Sequence, residues 1–135
     1  MNRTESRSVL VADPHHGVTE RVRGLLATTF TAVVMVADEV SLFESAGRLQ
    51  SNLAVVDLSL SRGGGLELVR RIRASFPSMK LLVVSVHDHA SLIRSVLDAG
   101  ADGFVTKRAI ATDLLAAADA VLAGERYGSP EVEQA

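Results

Sequence analysis

Four side chains with chemical potential stand where short apolar runs end. Asp57 closes Leu53-Ala54-Val55-Val56 and precedes a polar, glycine-rich turn. Asp13 closes Val9-Leu10-Val11-Ala12, Ser85 closes Leu81-Leu82-Val83-Val84, and Lys107 closes Phe104-Val105-Thr106. A carboxylate placed where a buried strand stops is held rigidly at the rim of a sheet, the place where open α/β folds put their chemistry. Two acids, a hydroxyl and an amine on one rim make a candidate site.

The elements that must position these groups alternate regularly. Val9 to Ala12 is a continuous apolar run, as expected of a strand buried on both faces. Val18, Val22, Leu25 and Leu26 follow at helical spacing, and the β-branched stretch from Thr31 to Ala37 predicts a second strand. Ser41-x-x-Glu44 has the form of a capping box, with Leu42, Phe43, Ala46 and Leu49 as the stripe of the helix behind it. After the third strand, Leu53 to Val56, a helix carries Leu66, Val69, Ile72 and Phe76 until Pro77 stops it. Met79 to Val84 predicts a fourth strand. Leu92, Ile93, Val96 and Leu97 stripe a helix that ends at Gly100, and Gly103 to Thr106 is a short fifth strand. Ile110, Leu114, Leu115, Ala118, Val121 and Leu122 make the last helix. Five strands alternating with five helices predict a doubly wound parallel sheet covered on both faces. The usual order of five-stranded members, 2-1-3-4-5, makes Asp13 and Asp57 neighbours at the switch point.

The chain has 135 residues, enough for one core and too few for two ordinary domains. Its formal net charge of -2 gives no electrostatic reason to expect this chain itself to bind nucleic acid or an acidic membrane. With no cysteine, disulfides and thiolate metal sites are excluded. No apolar stretch approaches the roughly 18 residues of a membrane helix, and the first residues, MNRTESRS, lack the apolar core of a signal peptide. A soluble cytoplasmic protein is the default expectation.

The stretches VLVADPHH, LAVVDLSLSRGGGLELVRRIR, LLVVSVHD and GADGFVTK resemble the receiver domains of bacterial two-component response regulators, from about residue 7 to 124. The close, DLLAAADAVLAGERYGSPEV, resembles the last receiver helix and linker of the NarL/FixJ subfamily, whose members usually continue into a LuxR-type helix-turn-helix domain. The expected organisation is a receiver domain of flavodoxin-like fold over 1–124 and a linker or tail over 125–135. With no output domain in this sequence, a stand-alone receiver and a piece of a longer transcription regulator are both open.

The resemblance implies a role for each rim residue. Asp57 would be the phosphoacceptor, taking a phosphoryl group from a sensor histidine kinase. Lys107 would lie against the phosphoryl oxygens, Ser85 would move to donate a hydrogen bond to them, and Phe104 would follow inward as the aromatic of the switch. Magnesium would be held by Asp13, Asp57 and the backbone carbonyl of Ser59, and Gly65 would end the turn that positions Asp57. The second acid of the family's pair is missing, and Pro14 stands in its place, which weakens the expected magnesium site. The output would be a reshaped face of helix four, strand five and helix five. Weak homodimerisation is expected through the last helix, where Ala116, Ala117, Ala120 and Ala123 lie beyond the apolar stripe. This describes a phosphoacceptor with at most self-catalysed phosphotransfer and autodephosphorylation.

Plainer readings stand beside these. Asp13-Pro14 also reads as an N-cap followed by proline at the first helical position, and Arg70, Arg71 and Arg73 as the solvated face of the third helix. Gly63-Gly64-Gly65 lacks the lysine and spacing of a P-loop and reads as a turn. His15, His16, His87 and His89 all follow strands one and four. A soft-metal site built from these imidazoles is one reading, for which adjacent and i+2 spacings are poor signatures, and pH-sensitive charge near the acids is the other. A different class of function is a phosphorylation-independent dimerisation module with an impaired magnesium site. An aspartyl-nucleophile phosphatase lacks its second acid, because Ser59 stands two residues after Asp57.

Overall fold

The computed structural model of the chain describes residues 7–128, without the side chains of residues 16–19. Its elements are β1 (Ser8–Ala12), α1 (His16–Leu26), β2 (Ala32–Val36), α2 (Glu39–Leu49), β3 (Leu53–Asp57), α3 (Gly65–Ser75), β4 (Lys80–Ser85), α4 (Ala90–Asp98), β5 (Gly103–Thr106) and α5 (Ile110–Leu122). The strands form one parallel sheet in the order β2-β1-β3-β4-β5, the expected doubly wound arrangement.

Strand alternation sorts the core into two layers. Leu10, Ala12, Ala54, Val56, Leu81 and Val83 cluster with Leu42, Leu68, Val69, Ile72 and Val96, under α2, α3 and α4. Val9, Val11, Leu53, Val55, Leu82 and Val84 cluster with Val22, Leu26, Leu114 and Val121, under α1 and α5. All five residues of β3 are buried, Asp57 among them, because the central strand is covered on both faces.

Three local expectations need correction. Helix α2 starts one turn earlier than Ser41: Asp38 is its N-cap and accepts a 2.8 Å hydrogen bond from Ser41 N, so the Ser41-x-x-Glu44 pattern caps nothing. Arg73 is not on a solvated face. Its guanidinium donates to the carbonyls of Gly100, Pro77 and Met79 and to Asp102 Oδ2 at 2.6 Å, while Asp102 Oδ2 accepts from Leu81 N. Gly100 has φ +127°, and a side chain there would meet Arg73 Cβ at 3.0 Å, so this close approach requires glycine. Finally, Ala117 is fully buried in the layer under α1 and α5 and is unavailable to a partner; Ala116 and Ala123 are exposed.

The described part of the expected linker lies against the domain. Tyr127 bridges to Gly103, and its carbonyl accepts from Phe104 N at 3.1 Å, along the outer edge of β5. Residues 129–135 fall outside the described residues.

A candidate acidic site at the rim of the sheet

Register brings the two acids together. Ala12 pairs with Val56 across β1 and β3, so the next residues along, Asp13 and Asp57, leave the sheet side by side. Val84 pairs with Asp57 and Thr106 with Ser85, which carries the same rim on to Ser85 and Lys107. Asp13, Asp57 and Ser85 are 4%, 2% and 3% exposed, and the Lys107 side chain is nearly as buried.

Lys107 is the counter-ion of both acids: Nζ lies 3.1 Å from Asp13 Oδ2 and pairs with Asp57 Oδ2. Asp57 Oδ1 accepts from Ser59 N at 2.8 Å and Ser59 Oγ at 2.9 Å, so the turn after β3 fixes the carboxylate. Burial by itself pushes the Asp57 carboxyl up, but the Lys107 ammonium and the two Ser59 donors outweigh it and hold it below the ordinary carboxylate value. Ser59 thus touches Asp57 through its N–H and hydroxyl, in addition to the carbonyl role expected of it. Gly65 packs on the same turn: a Cβ there would stand 2.9 Å from the Leu58 carbonyl oxygen and closer still to its side chain.

The capping reading of Asp13-Pro14 fails on geometry. Helix α1 starts at His16 with His15 at the cap position, and Asp13 Oδ1 accepts from His15 N at 2.8 Å without reaching the helix. That turn brings the His15 ring back over the acids. Its Nδ1 lies 3.1 Å from Asp13 Oδ1, 3.3 Å from Asp57 Oδ2 and 3.2 Å from Lys107 Nζ.

Of the remaining histidines, His87 lines the same cavity of about 390 Å³ with Asp57, Ser59, Ser85 and Lys107. His89 lies behind His87, ring centroids 5.9 Å apart, and the His16 side chain is outside the described residues. Ser85 Oγ accepts from His87 N at 3.0 Å. Phe104, expected to move inward on switching, is already buried in the layer with Ile93, Val96 and Leu97. A larger cavity, about 560 Å³, opens near the beginnings of β3 and β4 beside Gln50, Asn52, Pro77 and Lys80, where no acid pair is gathered.

Among the described residues, Asp13, His15 and Asp57 are a group able to hold a metal ion. The two carboxylates suit magnesium; an imidazole is a ligand for softer ions. No helix among the described residues is long and apolar enough to cross a membrane.

Residues 9–119 match the model of the response regulator receiver domain family. The chain is 35% identical over 129 residues to the response regulator GacA of Pseudomonas viridiflava, covering 93% of this chain and 60% of that protein. It is 30% identical to the response regulator UvrY of Escherichia coli, covering 94% and 59%. It therefore spans about 60% of the length of these relatives. Among solved structures it is similar to a LuxR-family two-component response regulator from an Aurantimonas species, with TM-score 0.85, 29% identity and coverage of 96% and 94%. It is also similar to the non-phosphorylated receiver domain of the stress response regulator RcsB of Escherichia coli, with TM-score 0.82, 27% identity and coverage of 90% and 97%. By fold, rim residues and kinship, the chain belongs to the response regulator receiver family, in its NarL/FixJ, LuxR-type branch.

Proposed function

We propose that Asp57 is the phosphoacceptor of this receiver domain and takes its phosphoryl group from a sensor histidine kinase. The observation that carries the reading is the shared rim: a rigidly bonded, ionised carboxylate with an ammonium and a hydroxyl lining one cavity. An Asp57 oxygen attacks the phosphorus of a phosphohistidine, the P–N bond breaks, its electron pair returns to the imidazole, and an acyl phosphate forms on Asp57. Keeping Asp57 ionised keeps it nucleophilic at neutral pH. Lys107 offsets part of the charge added, roughly -1.5 to -2. Ser85 accepts its present hydrogen bond from His87, so its own hydroxyl proton remains for a phosphoryl oxygen. A divalent cation on Asp13, Asp57 and the Ser59 carbonyl, magnesium by the family resemblance, would neutralise the phosphoryl oxygens further.

The contacts of the switch residues set the readout. Ser85 and Thr106 are paired at the ends of β4 and β5, and Phe104 lies under α4, so a pull on Ser85 is transmitted to the α4–β5–α5 face. That face serves weak self-association and, in a longer regulator, control of a DNA-binding output; residues 1–124 are the switching unit and residues 125–135 the connection to such an output. The domain acts in the cytoplasm, where its kinase presents phosphohistidine. Incubation with acetyl phosphate and magnesium, read by intact mass, tests the reading: one phosphoryl group on the wild type and none on Asp57→Asn is the expected result. An unchanged wild-type mass would instead favour a phosphorylation-independent interaction module.

A further inference from the structure

We propose that His15 is a metal ligand and that Asp13, His15 and Asp57 together make this site take a first-row transition ion, with zinc as its natural type, in preference to magnesium. The inference concerns the same acid pair as the phosphoacceptor reading and rests on it only for Asp13 and Asp57 being cation ligands.

Ligand spacing carries the argument. Metal–ligand bonds of about 2.0–2.2 Å to imidazole nitrogen and carboxylate oxygen place neighbouring ligand atoms about 2.8–3.1 Å apart in octahedral geometry and about 3.3–3.6 Å apart in tetrahedral geometry. Asp13 Oδ1 and His15 Nδ1 stand 3.1 Å apart, and His15 Nδ1 and Asp57 Oδ2 stand 3.3 Å apart. Both separations fall at such edges, and the three ligand atoms all lie within 4.8 Å of one another. The Lys107 ammonium, 3.2 Å from Nδ1 and 3.1 Å from Asp13 Oδ2, marks the convergence of these donors on positive charge.

Chemistry sets the preference. Magnesium favours oxygen ligands and gives up water reluctantly, so replacing a carboxylate by an imidazole removes affinity for it. Zinc, cobalt(II) and nickel(II) bind imidazole well, and on mixed nitrogen and oxygen donors they exceed lighter divalent ions. Sequence and geometry agree here. Pro14 removes the second acid from the family pattern, and the turn it occupies, closed by the hydrogen bond from His15 N to Asp13 Oδ1, seats the imidazole beside both carboxylates. The His15 side chain is 55% exposed, so an ion can reach it from solvent and the residue can be replaced without disturbing the core.

The test uses cobalt(II) as a spectroscopic probe of the full chain at neutral pH, with magnesium titrated in parallel by calorimetry. Wild type is expected to develop d–d absorption bands on addition of one equivalent of cobalt. His15→Ala should weaken cobalt binding by at least about tenfold, the loss that even outer-sphere partners of a metal ligand cause, and leave magnesium affinity within about twofold, since a poor magnesium ligand is lost. His87→Gln and His89→Gln should bind cobalt as wild type does. Equal losses for both metals in His15→Ala, no loss for either, or loss of the cobalt spectrum in His87→Gln or His89→Gln would overturn the proposal. Phosphorylation is scored separately by mass: a protein phosphorylated on Asp57 whose cobalt binding ignores His15 sinks this inference alone. One that binds cobalt through His15 but takes no phosphoryl group sinks the phosphoacceptor reading alone.

Discussion

Lys107 Nζ lies 3.1 Å from Asp13 Oδ2 while also pairing with Asp57 Oδ2, so a single buried ammonium neutralises two buried carboxylates that parallel register has placed side by side. Removing it leaves both acids without their main counter-charge, and the consequence depends on pH.

Lys107→Met is expected to cost about 3 kcal/mol at neutral pH, as breaking a buried pair does. In the wild type the Asp57 carboxyl is held below its unfolded value of about 3.9. Its contribution to stability is therefore complete above that value and lost as pH falls through the folded one. Lys107 supplies two of the four influences that oppose burial, so without it the Asp57 carboxyl rises and the stabilisation that the wild type loses at low pH shrinks in the variant. Urea denaturation across acid and neutral pH should show the deficit largest at neutral pH and smaller near pH ~3. A deficit independent of pH would show that the pair does not carry the effect.

Arg73→Met should destabilise the fold by roughly 2 kcal/mol, because it strands the Gly100, Pro77 and Met79 carbonyls and unpairs Asp102. Arg70→Met is the comparison: its only described ion pair, with Glu67, is 3.6 Å long and exposed, so the change should stay within about 0.5 kcal/mol. Equal denaturation midpoints for the two variants would refute the assignment of Arg73 as a staple.

Gly65→Ala should cost about 1–3 kcal/mol and slow phosphorylation of Asp57, since the new methyl group pushes on Leu58, whose turn holds Ser59 against the carboxylate. Stopped mass measurements with acetyl phosphate and a thermal melt separate the two effects. Gly63→Ala, which meets nothing within 4 Å, should do neither.

Pro14→Asp should tighten magnesium by roughly tenfold, about 1.4 kcal/mol, the scale of one added negative charge close to a divalent ion at a wet site. Pro14→Asn frees the same backbone dihedral without adding charge. If calorimetry finds the two variants equal, charge is not what limits magnesium here.

Self-association, by contrast, now rests on fewer positions. With Ala117 in the core, Ala116→Glu and Ala123→Glu should reduce any phosphorylation-strengthened dimer while leaving the melt unchanged, whereas Ala117→Glu should unfold the domain. Sedimentation that finds one monomeric species before and after phosphorylation would remove α5 as a contact surface.

The positions of the reactive groups were legible in the chain because parallel strands covered on both faces read as unbroken apolar runs, so the first polar residue after each run marks the rim. That reasoning located Asp13, Asp57, Ser85 and Lys107, and helical periodicity located the layers that cover them. What it left open was local competition and long-range approach. Asp38 and Ser41 are both good caps, and in the folded chain Asp38, in extended backbone, is the one whose carboxylate accepts from the helix, at Ser41 N. Arg73 and Ala117 have the residue types and spacing of solvent positions, yet one meets Asp102 and the other a packed layer, contacts that exist only once β5 and α5 are in place. His15 is the plainest case. Its ring reaches Asp57, 42 residues away, and Lys107, 92 residues away. Its place after strand one put it near the acids, but strand register and the turn at Pro14 together decide that its ring comes within 3.3 Å of both carboxylates, distances that no local pattern encodes.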